Sequence, residues 1–281
     1  MVRRPGEPDL AATVSYPDAV AQAAVIIVHG HGEHIGCYQH VIDAWRGRGF
    51  AVACYDLRGH GDSGGPPSHI EHFDDYLRDT HAVLEELSRD PRWQAAGPPI
   101  VFGHSLGALI SIQLVLSSQA SFRGLALSSP YLGLAAKVSR VVLWLGRTLS
   151  QSWPTFSLSS PVQAGVLTHD PERIAFIEND SKRTPAVTSR FFSEVERVQR
   201  LTQDSAANVR LPVFCLAAGN DRVVDLALTQ SWFSRVSSSD KQLIVIPGAF
   251  HELLNEVERG RYLQQYAECF RRWAHLHSPT P

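Results

Sequence analysis

Three residues in distant parts of the chain have the types needed to turn a serine into a nucleophile: Ser105, then Asp221, then His251. A serine hydroxyl is a poor nucleophile until a base removes its proton. The base is usually a histidine that a carboxylate holds in one tautomer. Each of the three residues follows an apolar run typical of a buried strand. The pattern therefore predicts acyl-transfer chemistry at one edge of a sheet.

The residues around Ser105 favour a catalytic role for its hydroxyl. Ser105 lies in Gly103-His104-Ser105-Leu106-Gly107, between the apolar run Ile100–Phe102 and the longer run Ala108–Leu116. A Gly-x-Ser-x-Gly between a strand and a helix is typical of a nucleophile elbow, a tight turn that exposes the serine hydroxyl. The glycines on either side of Ser105 agree with such a turn, because a Cβ at their positions would collide with neighbouring backbone. An ordinary glycine-rich turn is the alternative, but the context and the partners of Ser105 favour catalysis.

The other two residues are selected by their positions after predicted strands. The chain has 13 histidines, and His251 is distinguished because it comes just after the last predicted strand, Gln242–Ile246. Asp221 lies at the end of the strand predicted over Leu211–Ala218. Its rival Asp225 is better placed to cap the following helix. We therefore expect Asp221 to orient His251.

Acyl transfer also needs two N–H donors for the oxyanion that forms on the carbonyl oxygen. One is expected from the backbone of Leu106, directly after the nucleophile. The other is expected from the glycine-rich loop His29-Gly30-His31-Gly32, where His31 is the predicted donor. Because His31 would act through its backbone, its side chain is expected to be free to vary.

A metal site is the competing interpretation of a dense group of polar residues near this loop: His29, His31, His34, Asp56 and His60. Zinc sites use such ligands, but the group coincides with the expected oxyanion loop, and its spacing fits no familiar ligand pattern. The stretch Asp56–Ser63 is more typical of a loop that braces the site. The sequence therefore predicts no metal and no cofactor.

The elements that would position these residues alternate regularly along the chain. Strands and helices alternate from Val25 to Ser128, which predicts a parallel sheet with right-handed crossovers. The alternation stops over residues 131–208, where helices are expected over Leu132–Leu149, Pro171–Asn179 and Pro185–Leu201. Connections of this length are usually functional. The predicted organisation is an α/β core, residues 1–130 and 209–281, with an inserted helical cap, residues 131–208, that lines a substrate pocket.

Bulk properties exclude several classes of protein. The chain has 281 residues and a net charge of −2, which gives no electrostatic basis for binding nucleic acid. Its four cysteines are far apart, so neither a disulfide framework nor a cysteine metal site is indicated. The stretch Met1–Leu10 lacks the apolar core of a secretory signal. The longest candidate for a membrane span, Val138–Leu145, is far below the ~20 residues required, and a cytoplasmic location is expected.

Several blocks of sequence resemble the monoacylglycerol lipase and lysophospholipase branch of the α/β-hydrolase superfamily, also called serine aminopeptidase-like. The resemblance extends from about Val25 to Trp273 and includes the branch's Ser, Asp, His order. The blocks that carry it are His29-Gly30-His31-Gly32-Glu33-His34, Tyr55–Ser63, Gly103–Gly107, Asn220–Val224 and Gly248–Glu252. Two departures are Ala108, where the branch commonly has a second glycine, and the short stretch before Val25, which could lack a leading strand.

The resemblance implies an α/β-hydrolase fold with a mostly parallel sheet and a helical cap. It implies a serine hydrolase that cleaves esters of single-chain lipids with Ser105, His251 and Asp221. Two alternatives stay open: an amide hydrolase with the same triad, and a non-catalytic binding protein on a hydrolase scaffold. The apolar stretch Val141–Leu145 further suggests transient contact between the cap and a membrane surface.

Overall fold

A computed structural model describes residues 1–136, 140–159 and 162–276. The strands, in chain order, are β1 (Ala12–Ser15), β2 (Ala24–Val28), β3 (Ala51–Tyr55), β4 (Ile100–His104), β5 (Gly124–Ser128), β6 (Ser157–Ser159), β7 (Ala186–Thr188), β8 (Val213–Ala218) and β9 (Lys241–Ile246). The α-helices are α1 (Gln39–Arg46), α2 (Asp74–Leu87), α3 (Pro91–Ala95), α4 (Leu106–Ser117), α5 (Arg140–Ser152), α6 (Pro171–Asn179), α7 (Ser189–Asp204), α8 (Leu226–Arg235) and α9 (Arg259–Leu276).

The centre of the molecule is a seven-stranded sheet in the order β1-β3-β2-β4-β5-β8-β9. All neighbours are parallel except β1, which pairs antiparallel with β3. Every residue of β2, β3, β4, β5 and β8 is buried. Strands covered on both faces read as continuous apolar runs, which is why the sequence predicted them well.

The core has two apolar layers, one on each face of the sheet. Val25 and Ile27 of β2 pack in the layer that holds α1 and α9, and Ile26 and Val28 pack in the layer that holds α2, α4 and α8. This alternation follows from the two-residue period of a strand. The predicted α/β-hydrolase architecture, a mostly parallel sheet flanked by helices, is confirmed.

The edge of the sheet includes a strand that the sequence did not indicate. β1 pairs with β3 in the register Ala12↔Tyr55 to Ser15↔Val52, and its four residues are only half-buried. A strand this short and this exposed leaves no apolar run to read. One leading strand is therefore present, although the stretch before Val25 is short.

Two of the helices expected within residues 131–208 do not begin where the sequence predicted. Residues up to Ala136 are not helical, because Leu134 bridges to Val224 and the Ala135 N–H donates to the Val223 carbonyl. The first residues of the helix expected over Pro185–Leu201 instead form β7, which pairs antiparallel with β6. The β-branched residues of Ala186-Val187-Thr188 suit a strand, and Thr188 then caps α7 by accepting a hydrogen bond from the Phe191 N–H.

Other features of this region agree with expectation. The helix predicted over Pro171–Asn179 is present as α6, with Asp170 as its N-cap. The residues of β6 and β7 are mostly exposed or half-buried, so the described part of residues 131–208 contains no fully buried strand, as predicted. Helix α5 packs on α7, and α7 packs on α4 of the core. Within the ranges described, none of the helices combines the length and apolarity needed to cross a membrane.

Candidate active site

The structure brings Ser105, His251 and Asp221 into one chain of hydrogen bonds. The distance between Ser105 Oγ and His251 Nε2 is 2.9 Å, and that between His251 Nδ1 and Asp221 Oδ2 is 2.7 Å. An ionised carboxylate can only accept, so Nδ1–H donates to Asp221. Nε2 is then unprotonated and accepts the hydroxyl proton of Ser105. This is the tautomer that a general base requires.

The turn between β4 and α4 holds Ser105 in a strained conformation. Its φ is +52°, a value that non-glycine residues rarely adopt. Glycine is required at both ends of the turn, because a Cβ at Gly107 would overlap the Val28 carbonyl oxygen and one at Gly103 would overlap the Gly107 carbonyl oxygen. Such strain persists only where surrounding structure enforces it, and it clusters at functional sites.

Asp221 and Asp225 have different partners, as the sequence analysis expected. Asp221 Oδ1 accepts hydrogen bonds from the N–H groups of Val223 and Val224, at 2.8 and 2.9 Å. This fixes the carboxylate and leaves Oδ2 for His251. Asp225 Oδ1 accepts from the Ala227 N–H and caps α8. Only Asp221 therefore contacts the imidazole.

The charges around His251 favour its protonated form. Burial works to lower the pKa of His251, but the charge and hydrogen bond of Asp221, with the charges of Glu252 and Glu33, raise it above its usual value. Burial works in turn to raise the pKa of Asp221, and His251 together with two backbone N–H groups lowers it. The carboxylate thus stays ionised and stabilises the imidazolium that forms when His251 takes a proton.

The loop after β2 packs directly against the nucleophile. A Cβ built on Gly30 would lie 3.2 Å from Ser105 Cβ, so Gly30, which precedes His31 in the chain, is in contact with the serine. Leu106 is the first residue of α4, and N–H groups in the first turn of a helix have no intrahelical partner. The predicted oxyanion donors, His31 and Leu106, are thus the residues that follow Gly30 and Ser105, and their role stays a prediction.

The His31 side chain has partners that the sequence did not suggest. Its Nε2 lies 2.9 Å from Ser68 Oγ and 2.9 Å from the carbonyl oxygen of Ala186, which belongs to the inserted region. Its ring is 5.2 Å from that of Phe191. Burial lowers the pKa of His31 to about 4, so the ring is neutral and donates from Nε2 to the carbonyl. The expectation of a freely variable side chain does not fit these contacts.

The other residues of the predicted polar group brace two loops. His29 Nδ1 donates to the Gly30 carbonyl at 2.7 Å, and its Nε2 accepts from the Leu57 N–H at 2.9 Å. Asp56 accepts from the N–H groups of Ile35 and Asp62, at 2.6 and 2.7 Å. His60 Nδ1 donates to the Arg58 carbonyl at 3.0 Å. These bonds fit the bracing role expected for Asp56–Ser63.

A second polar group, which the sequence analysis did not identify, includes His34, Cys37 and Asp180. Their potential ligand atoms lie within 4.8 Å of one another. His34 Nδ1 accepts from the Gly36 N–H and its Nε2 lies 2.7 Å from Asp180 Oδ2. Nε2 therefore carries the proton and donates to the carboxylate. As arranged, the group is a hydrogen-bond network, and the predicted lack of a metal stays a prediction.

Sequence reasoning also missed three charged residues close to the site. Glu33 Oε2 accepts from the Gly30 N–H at 2.6 Å and from the Tyr38 hydroxyl at 2.8 Å, and these bonds shape the loop after β2. Glu252 pairs with Arg183 at 3.1 Å. The two glutamates lie inside recognised blocks and could have been proposed from them. Arg183 carries no local signal, because its partner is distant in sequence.

An α/β-hydrolase is defined by a strained serine between a parallel strand and a helix. Its hydroxyl is hydrogen-bonded to a histidine that is hydrogen-bonded in turn to an aspartate, and both of these residues follow later strands. The family described as serine aminopeptidase, S33, matches residues 19–258, and the chain belongs to this family.

The chain is also similar to individual proteins over most of its length. It is 29% identical to Phospholipase YtpA of Bacillus subtilis, over 84% of this chain and 90% of that protein. It is 28% identical to the Monoacylglycerol lipase of Mycolicibacterium smegmatis, over 86% of both. The crystal structure of the Paleococcus ferrophilus monoacylglycerol lipase superposes with a TM-score of 0.83 at 25% identity, over 96% of this chain and all of the other.

Proposed function

We propose that this chain is a serine hydrolase that cleaves carboxylic esters of single-chain lipids, such as monoacylglycerols and lysophospholipids. The observation that carries the proposal is the continuous chain of hydrogen bonds from Ser105 through His251 to Asp221. The lipid substrate class is supported by the names of the relatives, which are a phospholipase and monoacylglycerol lipases.

The proposed reaction proceeds through an acyl-enzyme. Ser105 Oγ attacks the ester carbonyl carbon while His251 Nε2 takes the hydroxyl proton. The N–H groups of His31 and Leu106 stabilise the oxyanion. The ester C–O bond then breaks, and His251 gives the proton to the departing alcohol oxygen. Water attacks the acyl-enzyme with His251 again as base, which releases the fatty acid and restores Ser105. No cofactor takes part.

Residues 131–208 are proposed to act as the cap over this site. Ser105 is only 8% exposed, and the inserted region contacts the loops around it. The Tyr131 N–H donates to the Ser105 carbonyl, and the Glu252 N–H donates to the Leu167 carbonyl. Substrate must therefore enter along or beneath the cap, which makes the cap the part of the chain that selects acyl length.

We also propose that the cap touches lipid surfaces transiently. Of the ten exposed large apolar side chains within the described ranges, seven lie in residues 131–208, including Trp144 at 63% and Leu145 at 46% exposed. These two are the described side chains of the predicted stretch Val141–Leu145. Flotation with liposomes should recover the wild type more efficiently than Trp144→Ala, and equal recovery would count against this contact. The cytoplasmic location expected from the sequence stays a prediction.

The test of the main proposal is hydrolysis of p-nitrophenyl esters and monoacylglycerols graded by acyl length. Ser105→Ala should abolish turnover, whereas Ser129→Ala should retain it. Ser129 is a matched control because it is also buried with a positive φ, and its hydroxyl has no hydrogen-bond partner within the described residues. Ester turnover that survives Ser105→Ala would exclude the mechanism.

Amide hydrolysis is the second candidate function, because the family is described as serine aminopeptidase. The same triad serves esters and amides. A parallel assay with aminoacyl p-nitroanilides separates the two: the proposal expects a kcat/KM for monoacylglycerol far above that for any aminoacyl amide. The reverse order would assign the peptidase activity.

A further inference from the structure

One segment of the inserted region, residues 180–186, lies along the loops that form the site. We call it the clamp segment. Asp180 Oδ2 lies 2.7 Å from His34 Nε2, Lys182 Nζ lies 2.7 Å from Asp62 Oδ2, and the Ala186 carbonyl oxygen lies 2.9 Å from His31 Nε2. A Cβ on Gly32 would lie 2.8 Å from the carbonyl oxygen of Thr184. The segment is thus held against the loop after β2, through His31, Gly32 and His34, and against the loop after β3, through Asp62.

Arg183 is the member of the clamp segment that reaches deepest. Its Nη2 lies 3.1 Å from Glu252 Oε1, and the side chains of this pair are only 14% and 4% exposed. Its Nη1 lies 3.9 Å from Cys37 Sγ. Glu252 is the residue after His251, and its other carboxylate oxygen accepts from Asn255 Nδ2 at 2.6 Å. The inserted region therefore supplies a cation to the loop that carries the proposed base.

That cation faces an excess of buried negative charge. Glu33 and Glu252 are 2% and 3% exposed, and both carboxylates act on His251 in addition to Asp221. The His104 ring is 4.9 Å from the His251 ring. The ring of Phe250, the residue before His251, stacks on that of His169, which pairs with Glu256 at 2.8 Å. The Arg222 guanidinium lies over the same Phe250 ring. Removal of a buried partner leaves a charge uncompensated, which is costly.

We propose that Arg183 is a positioning residue supplied by the cap, which holds the His251 loop through Glu252 and offsets the charges of Glu33 and Glu252. The inference rests on the proposed function, because it concerns the strength of the proposed base. It makes the docked clamp segment a condition for full activity: His251 is tuned only while Arg183 is in place.

The electrostatic part of this proposal has a definite sign. Burial works to lower the pKa of Arg183, and Glu252 and Glu33 raise it above its usual value, so the guanidinium is charged at every working pH. Without it, two carboxylates act on His251 unopposed, and a proton on His251 is held more tightly. The acid limb of the kcat/KM profile should therefore move to higher pH in Arg183→Gln.

The experiment measures kcat and KM for a short-chain p-nitrophenyl ester from pH 5 to pH 9. For Arg183→Gln we expect kcat/KM at pH 6, relative to its value at pH 8, to fall about threefold to tenfold below that of the wild type. The change should appear in kcat more than in KM. Arg183→Lys, which keeps the charge, should restore the acid limb. Glu252→Gln should move the limb to lower pH.

Lys182→Gln is the matched control. It removes a cation from the neighbouring position of the same clamp segment, but its pair with Asp62 is exposed, at 50% and 64%. Exposed pairs contribute little, so its profile should match that of the wild type. The proposal is overturned if Arg183→Gln folds and its kcat/KM profile keeps the acid limb of the wild type. It is also overturned if Lys182→Gln moves the acid limb as far as Arg183→Gln does.

A second readout separates failure of this inference from failure of the proposed function. The titration of His251, followed by NMR of labelled histidine against a His251→Gln reference spectrum, needs no turnover. If the wild type hydrolyses no ester, the proposed function fails, and an upward shift of the His251 titration in Arg183→Gln still supports the inference. If Arg183→Gln does not fold, the opposite shift expected in Glu252→Gln decides, and an unchanged titration there overturns the proposal.

Discussion

The core and the segment of residues 180–186 beside the site are held in place by different forces. In the core, the central strands are buried along their whole length, and the three candidate catalytic residues follow β4, β8 and β9. Within residues 131–208, α7 joins the same apolar core through Phe191, Val195 and Val198, whereas β6 is exposed and α6 has no buried residue. Residues 180–186 are joined to the loops of the site by ion pairs and hydrogen bonds. Apolar burial therefore sets the positions of the triad and of α7, and polar contacts set the position of residues 180–186.

This contrast predicts that the largest effects on activity come from the core edge of the site. Asp221→Asn keeps the shape of the side chain but removes the charge that stabilises the imidazolium. We expect kcat to fall by roughly 10⁴-fold, measured with a short-chain ester. Asp225→Asn, at the N-cap of α8, should keep its activity. If Asp225→Asn lost as much activity as Asp221→Asn, the assignment of Asp221 as the residue that orients His251 would be contradicted.

Stability should respond to phenylalanine truncation very differently in the two regions. Phe102 in β4 is fully buried, with its ring 5.1 Å from those of Trp45 and Tyr266. Phe102→Ala should lower the free energy of unfolding by about 3–5 kcal/mol. Phe176 in α6 is 37% exposed, and Phe176→Ala should cost less than about 1 kcal/mol. Urea unfolding of both variants measures these free energies. Equal losses of stability in the two variants would contradict the contrast between the two regions.

The pH dependence of the wild type should reflect the charges of the core edge. His251 must be neutral to act as a base, and the charge and hydrogen bond of Asp221 raise its pKa above the usual value for histidine. The value of kcat/KM should thus be full above that pKa and fall about tenfold per pH unit below it. A profile that stays flat down to pH 5 would contradict the role given to His251.

The smallest of these effects concerns the contact between the two regions at His31. His31→Ala removes the bonds to Ala186 and Ser68 and the contact with Phe191, but it keeps the backbone N–H. We expect kcat to fall about threefold to tenfold, as for the loss of one or two hydrogen bonds, with little change in KM. Phe191→Ala removes the ring that contacts His31 from the side of α7, and we expect a similar fall in kcat. If kcat is unchanged in both His31→Ala and Phe191→Ala, the His31 side chain does not contribute to activity.

The same contrast explains how much the sequence could predict. The strands from β2 to β9 of the central sheet are signalled by apolar runs, and Ser105, Asp221 and His251 follow from their positions after those runs. β1, β6 and β7 are short and half-buried or exposed, so they leave no such pattern. The contacts of His31, His34 and Glu252 with the inserted region join residues far apart in sequence. Such pairings depend on tertiary packing and have no local signature.

The most direct measurement is active-site labelling with a fluorophosphonate, which reacts with an activated serine and reports the modified residue by peptide mass spectrometry. The account predicts one adduct per chain, located on the peptide that contains Ser105, with labelling strongly slowed in His251→Ala and unchanged in Asp225→Asn. An adduct on another serine, or ester turnover by a chain that the probe does not label, would contradict it.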